Sequence, residues 1–408
     1  MKLNGLDLYD FLKERGLIYQ TTDEKKLKEM LNGEPITFYL GIDPTADAIH
    51  MGHLCSLRTF RFLQEAGHKG ILVIGGATAM IGDPSGRKDM RTMLSKEVIE
   101  KNLENIKNLS RKFIKTDGEN PATIVSNADW MSKYSYVDFL RDVGTYFNVN
   151  VMLSAEAYKK RLETGGLTFL EMGYMPIQAF DFEHLFNEYG CSLQVGGSDQ
   201  WGNMVAGVEL IRKKHGKSID VMTTPLLLNS KGEKMGKTAG GALWVDQGKT
   251  SVYDFYQYFM NVDDQDVKTV LRWFSDLPNS EIEEICSKDI REAKKIMAFT
   301  VTELIHGKEN AQIAQKTAED IFSGKGSSEN MKTVEISAQE YPNGIGVLEL
   351  MTKLGITASN GEARRLIQQG GLSIDDRKLS DPFEIIKAEG ELIAKKGKKV
   401  HIKVVFKG

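Results

Sequence analysis

Apolar and polar positions alternate along the first half of the chain between short apolar runs and helical stripes. Residues 36–43 (ITFYLGID) are apolar and β-prone and predict a strand. From His53 to Ala66 the apolar positions recur at helical spacing, and Gly67 follows as a stop. KGILVIGGATAMIGDPSG predicts a buried strand running into a glycine-rich turn, and a charged helix follows to about Thr116. ATIVSNADW predicts a further strand and turn, and residues 136–190 are mostly helical in pattern. CSLQVGGSD predicts a strand ending in a Gly-Gly turn, QWGNMVAGVELIRKKHG a helix, and DVMTTPLLLNS one more strand before a polar loop. Residues 1–33 read as helical. Strands alternating with helices predict an α/β fold around a doubly wound parallel sheet. Ligands of such sheets sit at the carboxyl ends of the strands. Those ends read Gly41–Asp43, Gly75–Asp83, Gly196–Asp199 and Lys231–Thr238.

From Ser251 to about Phe322 the pattern is helical with no strand candidate, which predicts a second, all-helical domain. Residues 323–344 are polar and rich in Gly, Ser and Asn and predict a linker. The remainder mixes two short helices (VLELMTKLG, GEARRLIQQGG) with strands (LSIDD, KVHIKVVF), a small α+β module. The expected domains are 1–225, then 226–325 with the polar loop and the helices, then the linker 326–344 and the module 345–408.

Composition narrows the class. With 41% hydrophobic and 27% charged residues, the 408-residue chain is ordinary for a folded soluble protein. No apolar run reaches the ~18 residues that a membrane span needs, and the charged amino-terminal stretch reads as an amphipathic helix, so no signal peptide is expected there. Three scattered cysteines make neither a disulfide framework nor a metal site, and a reducing cytoplasm fits them. The net charge of −3 hides an asymmetry: residues 345–408 carry +4 and the rest −7. A basic tail on an acidic body suits contact with a polyanion.

Two constellations carry chemistry. In GIDPTADAIHMGHL, Asp43-Pro44-Thr45 leaves a strand, and His50 and His53 open the next helix three residues apart, on one face. Gly52 between them lets a flat ligand approach the backbone. The helix amino terminus favours phosphate, and two imidazoles there suit a pentavalent phosphate transition state. In GEKMGKT, Lys234 and Lys237 are three apart on a glycine-rich loop that closes over a polyphosphate. The loop is not a Walker A motif, because Lys231 stands where the first glycine belongs.

HMGH after the first predicted strand and KMGKT after the last resemble the two signatures of class I aminoacyl-tRNA synthetases, usually written HIGH and KMSKS. DPTADAIHMGHL, IGDPSGRKDMR, YMPIQAFDF and LQVGGSDQWGN resemble the bacterial tyrosyl-tRNA synthetase set over nearly the whole chain. The terminal module is similar to the S-four-type RNA-binding domain of those enzymes. The resemblance implies a Rossmann-like catalytic domain and a two-step reaction. L-tyrosine is first activated with ATP to tyrosyl-adenylate, and tyrosine then passes to the 3′ end of its tRNA. Tyr39 and Asp181 match the groups that bond the substrate phenol; Tyr174, Gln178 and Asp83 match those that hold its ammonium; Gln200 matches the one near its carboxylate. His50, His53, Lys234, Lys237 and Thr238 match the catalytic contacts to the ATP phosphates. Gly41, Asp43, Thr45, Gly52, Gly197, Asp199 and Lys237 match ATP contacts. Arg364, Arg365, Lys395, Lys396, Lys398 and Lys399 are expected to grip tRNA. The resemblance also implies a homodimer in the cytoplasm. ATP is expected as substrate with Mg²⁺, with neither a dedicated metal cage nor a tightly bound cofactor.

Three positions depart from the pattern. Arg87, a further phosphate candidate, stands where lysine is usual, and its planar fork is not a point charge. Phe180 replaces a common tyrosine and predicts packing. Gly236 replaces the serine of KMSKS and predicts a more mobile loop. Two rival readings are a tryptophanyl enzyme and a non-catalytic RNA-binding scaffold. Tyr39 with Asp181 opposes the first, since indole offers a single donor. The histidine and lysine motifs oppose the second.

Overall fold

The structure is a computed structural model and describes residues 5–85, 89–238, 241–322, 333–375, 377–397 and 400–407. Six strands form one sheet: β1 (Gln20–Thr21), β2 (Thr37–Ile42), β3 (Lys69–Ile74), β4 (Thr123–Ser126), β5 (Cys191–Gly197) and β6 (Asp220–Thr224). Their order is β1-β6-β5-β2-β3-β4. All pairs are parallel except β1 with β6. The chain winds outward from β2 through β3 to β4, then returns on the other side through β5 to β6. The switch of direction therefore falls between β2 and β5, where open α/β sheets place their ligand crevice. Tyr39 on β2 lies in register with Ile71 on one side and Gln194 on the other.

The central strands are covered on both faces, which explains their unbroken apolar runs. Phe38, Leu40, Ile71, Leu72, Ile74, Leu193 and Val195 are all buried. Packing is tight enough to demand glycine at Gly70, where an added Cβ would lie 2.3 Å from the Phe60 ring.

The amino-terminal stretch differs from the helical expectation. Helices Leu8–Glu14 and Glu24–Asn32 flank β1, which pairs Gln20 with Thr223. Two residues are too few to show a period. What makes them a strand is long-range: Tyr19 N–H donates to the Thr223 carbonyl at 2.8 Å, and Thr22 donates to Asp220 at 2.9 Å.

The chain divides into two compact units. One comprises Met1–Lys237, Ala242–Asp246 and Asp263–Ala293; the other comprises Thr238–Gly241, Gln247–Val262 and Lys294–Gly408. The expected boundary at residue 226 is not where this division falls. Residues 263–293 join the first unit through Arg15, whose buried guanidinium donates to the carbonyls of Arg272, Ser275 and Leu277, and through the Arg58–Asp276 ion pair. The region expected to be all-helical contains helices Val252–Met260, Val267–Phe274, Asn279–Lys288, Ile290–His306 and Lys308–Phe322, with no strand among its described residues.

The terminal module is built on a five-stranded sheet that places Arg377–Lys378, Leu372–Ile374, Glu391–Lys396, Val400–Lys407 and Thr333–Ser337 in that order. Two of these strands correct the sequence reading. Thr333–Ser337 lies within the expected linker, yet it pairs parallel to Val400–Lys407 with Val334 against Val404. Its Gly/Ser-rich flank dominated the local composition and masked the TVEIS run. Glu391–Lys396 is the second, and it carries Lys395 and Lys396.

One ion pair fixes the helix that enters the crevice. Helix Phe169–Met172 is capped by Thr168 and Glu171 in a reciprocal capping box. Buried Glu171 also accepts from Arg161 Nε at 3.0 Å and Nη2 at 3.3 Å. Tyr158 donates to the Met172 carbonyl at 2.9 Å and accepts from the Met175 N–H at 3.2 Å. These bonds set the start of helix Tyr174–Tyr189, which carries Tyr174, Gln178 and Asp181. Arg161→Met leaves Glu171 as an unpaired buried charge, and we expect it to lower stability by about 3–5 kcal/mol in denaturant unfolding. A loss under 1 kcal/mol would show that the pair does not hold this region.

Candidate active site

A cleft of about 440 Å³ opens at the carboxyl ends of β2 and β5. It is lined by side chains from every expected group whose placement is described in this part of the chain: Tyr39, Asp43, Thr45, His50, His53, Asp83, Tyr174, Gln178, Asp181, Asp199, Gln200 and Lys234, with backbone from Gly41, Gly52 and Gly197. Arg87 lies outside the described residues. Of Lys237 and Thr238 the backbone is described, as a short strand.

At one end of the cleft Asp181 is 4% exposed. Its Oδ1 accepts from Trp130 Nε1 at 2.8 Å and its Oδ2 from Asn127 Nδ2 at 2.9 Å. Burial pushes its pKa up to about 7, against the two hydrogen bonds, which favour the charged form. The Tyr39 hydroxyl is buried and has no partner among the described residues. Burial first, and Asp181 second, hold its pKa well above the ordinary phenol value. A buried hydroxyl without a partner costs about 1–3 kcal/mol.

The next set is acidic and faces inward. Tyr174 donates to Asp43 Oδ2 at 2.9 Å, and Thr78 donates to Asp43 Oδ1 at 2.7 Å. Tyr174 thus keeps its oxygen lone pairs for a donor. Gln200 donates to Asp83 Oδ2 at 2.7 Å, and the Ser85 N–H donates to Asp83 Oδ1 at 2.9 Å. Gln178 Oε1 is buried without a partner among the described residues. Burial raises the Asp43 pKa to about 6, and the charge of Asp83 adds to the rise. Asp43, expected among the ATP contacts, is thus bonded to Tyr174, which was expected at the substrate ammonium. A glycine at Gly75 is required beside it, because a Cβ there would meet Asp43 Oδ1 at 2.0 Å.

The histidines form the third set. His50 is the N-cap of helix Met51–Glu65, and its Nδ1 accepts from the Gly52 N–H at 3.1 Å. In the neutral ring the proton is then on Nε2, which leaves that nitrogen a donor. The His50 and His53 rings stack with centroids 4.0 Å apart. Burial lowers the pKa of both, helped at His50 by the charge of Lys234, so both are neutral at pH 7. Two neutral imidazoles beside a helix amino terminus offer donors to an anion without the charge repulsion that two imidazoliums would suffer. Lys234 stands 4.0 Å from Asp199, on a loop whose Gly236 has φ +82°. Burial raises the Asp199 pKa, and Lys234 opposes the rise.

Sequence reasoning missed Thr78, Arg91, Asn127, Trp130 and Gln194. Arg91 lines the cleft and donates to the Asp83 carbonyl at 3.1 Å. Asn127 follows β4 directly, so the strand-end rule could have found it. Gln194 is a polar residue inside the apolar run of β5; its Oε1 is buried without a partner among the described residues. Trp130 gave no such signal, since a lone tryptophan usually means core.

Comparison with known proteins supports one family. Residues 31–323 match the family model described as tRNA synthetases class I (W and Y). The chain is 48% identical over 404 residues to the tyrosine–tRNA ligase of Acetivibrio thermocellus, covering 97% of this chain and 98% of that protein. Among solved structures, a C-terminally truncated mitochondrial tyrosyl-tRNA synthetase of Aspergillus nidulans superimposes with a TM-score of 0.69 at 30% identity, covering 77% of this chain and 94% of that one. A tryptophanyl-tRNA synthetase of Encephalitozoon cuniculi shares the fold, with a TM-score of 0.56 at 17% identity over 76% of this chain and 89% of that one.

The raised pKa of Asp181 gives the site a pH signature. The free carboxyl keeps its proton below about pH 7. A phenol donates well only to the ionised form, so L-tyrosine affinity should fall as pH drops through 7, approaching tenfold per unit, as read by calorimetric titration. Asp181→Asn should abolish this step and leave the shallower loss near pH 6 that belongs to Asp43. The folding linkage has the opposite sense. The native carboxyl binds its proton more tightly than the unfolded one, so its stabilising contribution is full below about 3.8 and is lost as pH rises through 7. Affinity that does not change between pH 5.5 and 8 would contradict the assignment.

Proposed function

The chain belongs to the class I tRNA synthetases of the tryptophan and tyrosine type, and from that premise we infer that its cleft activates L-tyrosine with ATP and passes the tyrosyl group to tRNA. The observation that carries the choice of amino acid is the unpartnered Tyr39 hydroxyl in one cleft with the Asp181 carboxylate. A phenol satisfies both, since it accepts from one and donates to the other. Phenylalanine would leave the Tyr39 hydroxyl without a partner and give Asp181 no further donor, a form of discrimination for which this family's tyrosine enzyme is itself the known case, at about 10⁵. Indole can donate but cannot accept, so tryptophan meets half of the requirement.

We assign the remaining roles from chemistry and position. The α-ammonium is held by the Tyr174 oxygen, Gln178 Oε1 and Asp83, with Asp43 supplying further negative charge. Gln200 lies beside the substrate carboxylate. That carboxylate attacks the α-phosphorus of ATP in line; the bond to the β-phosphate bridge breaks, and pyrophosphate leaves. Neutral His50 and His53 donate to the phosphate oxygens as negative charge grows on them. Lys234, Lys237 and Thr238 hold the departing pyrophosphate, with Arg87 as a further cation, while Gly41, Thr45, Gly52, Gly197 and Asp199 take the nucleoside. A ribose hydroxyl at the tRNA 3′ end then attacks the activated carbonyl and AMP leaves. No side chain becomes covalently attached, so catalysis is positioning plus electrostatic stabilisation.

ATP is a substrate of this family, and we propose that Mg²⁺ arrives with it. Among the described residues no group of three or more His, Cys, Asp or Glu side chains could hold a metal ion, so no residue is assigned to it. Bound to the phosphates, the ion would neutralise part of their charge. No helix among the described residues is long and apolar enough to cross a membrane, and we propose a cytoplasmic enzyme. We also propose a homodimer that buries the exposed apolar side chains Tyr136, Val137, Leu140, Val149, Val151 and Phe169. Arg364, Arg365, Lys395 and Lys396 of the terminal module are proposed to contact tRNA; Lys398 and Lys399 lie outside the described residues.

Amino-acid-dependent exchange of pyrophosphate into ATP tests the reading, with tyrosine expected to support exchange and tryptophan not. Exchange with tryptophan at a comparable rate would overturn it. Because strand Thr333–Ser337 belongs to the module's sheet, the clean truncation removes residues 323–408. That truncation should keep exchange and lose most tRNA charging. Loss of exchange in a folded truncation would refute this division of labour.

A further inference from the structure

The basic candidates of the terminal module are not equivalent. Lys396 Nζ bonds Glu362 Oε1 at 2.8 Å and the Ile356 carbonyl at 3.2 Å, so it ties its strand to the start of helix Asn360–Gln368. Lys403 and Lys407 pair with Glu391 and Glu335. Arg364 behaves differently. It projects from the exposed face of that helix, whose inward face is Ala363 and Ile367, and it lays its guanidinium 5.2 Å from the ring centroid of Phe383. Arg365 is the next residue and is also exposed.

Phe383 is 73% exposed, the most exposed large apolar side chain among the described residues. A ring covered on both faces could not be so exposed, so Arg364 backs one face and the rest is open. The ring is held out by a rigid turn. Pro382 precedes it, and the Phe383 N–H donates to Asp381 Oδ1 at 2.8 Å. Its acidic neighbour Glu384 is neutralised by Arg377. Ile385, 63% exposed, extends the apolar patch, while Ile386 turns inward and pairs with Ile345.

We propose that Phe383, backed by Arg364, is a stacking platform for one unpaired nucleotide of the tRNA. This rests on the tRNA-charging reading above. The chemistry matches a nucleotide better than a peptide or a lipid. An open aromatic face suits the π surface of a base, and a guanidinium over that ring brings N–H donors beside it, where a phosphate would find them. The surplus of positive charge in residues 345–408 supplies the long-range attraction. An unpaired nucleotide is required, because a base inside an A-form helix hides its face.

The test uses the full-length protein and a transcript of its cognate tRNA. Phe383→Ala should raise the KM for tRNA about 5- to 100-fold, and Phe383→Trp should restore binding, with its new indole fluorescence quenched on adding tRNA. Arg364→Ala should lower the slope of log affinity against log salt by about 0.7, whereas Phe383→Ala should leave that slope unchanged. Tyrosine-dependent pyrophosphate exchange needs no tRNA and reports on folding and on the broader reading separately. An unchanged KM in Phe383→Ala with normal exchange overturns the platform alone. A change in oligomeric mass in place of a change in tRNA KM assigns the patch to contact between copies of the chain and also overturns it. Absence of exchange in the unmutated protein would instead sink the reaction itself.

Discussion

A carboxylate held out of water next to an unsatisfied phenol is the constraint around which the first compact unit is arranged. Asp181 is buried deeply enough to resist ionisation, and the Tyr39 hydroxyl makes no bond among the described residues. Each arrangement is unfavourable in the free protein. Both persist because the surroundings fix them. Trp130 and Asn127 hold the two carboxylate oxygens, and β2 fixes Tyr39 between its neighbours in the sheet. The Phe182 ring, 5.1 Å from that of Tyr39, leaves its phenol little freedom to turn away. A site prepared in this way lowers the cost of ordering when the substrate arrives.

The same logic runs along the cleft, with the sign of the charge changing. One part of the cleft is acidic and is lined by Asp43, Asp83 and Asp181. Another part has neutral imidazoles and Lys234 of the lysine loop. Under the proposed function a zwitterionic amino acid and a polyanion would meet between these poles, and the field itself would orient two substrates that would otherwise compete for one crevice. Neutral histidines fit this plan, because cations at both His50 and His53 would raise each other's energy at a ring separation of 4.0 Å. The second unit works by different rules. Its terminal module presents an exposed ring with a guanidinium over it and scattered cations, and it needs no burial of charge.

Much of this was legible in the sequence. The strand–helix alternation, the histidine pair at a helix start and the lysine loop are local patterns, and each follows from residue type and spacing. The linker reading failed at Thr333–Ser337 because composition averages over a window, whereas a parallel strand is made by a partner some seventy residues away. β1 was missed for the same reason: at two residues it has no period, only the edge of β6 to pair with.

The chain's own order of residues determined the fold class, the catalytic motifs and the chemistry of the ligand, because these depend on periodicity and on which functional groups are present. Tertiary structure decided which groups lose their water. Asp181 and Asp43 are ordinary carboxylates in the sequence. They become proton-holding groups only when helix Tyr174–Tyr189 and the strand ends bury them, since desolvation depends on neighbours in space. Likewise the pairing of Arg364 with Phe383, nineteen positions apart, exists only because the module's helix and its Asp381–Phe383 turn are packed side by side.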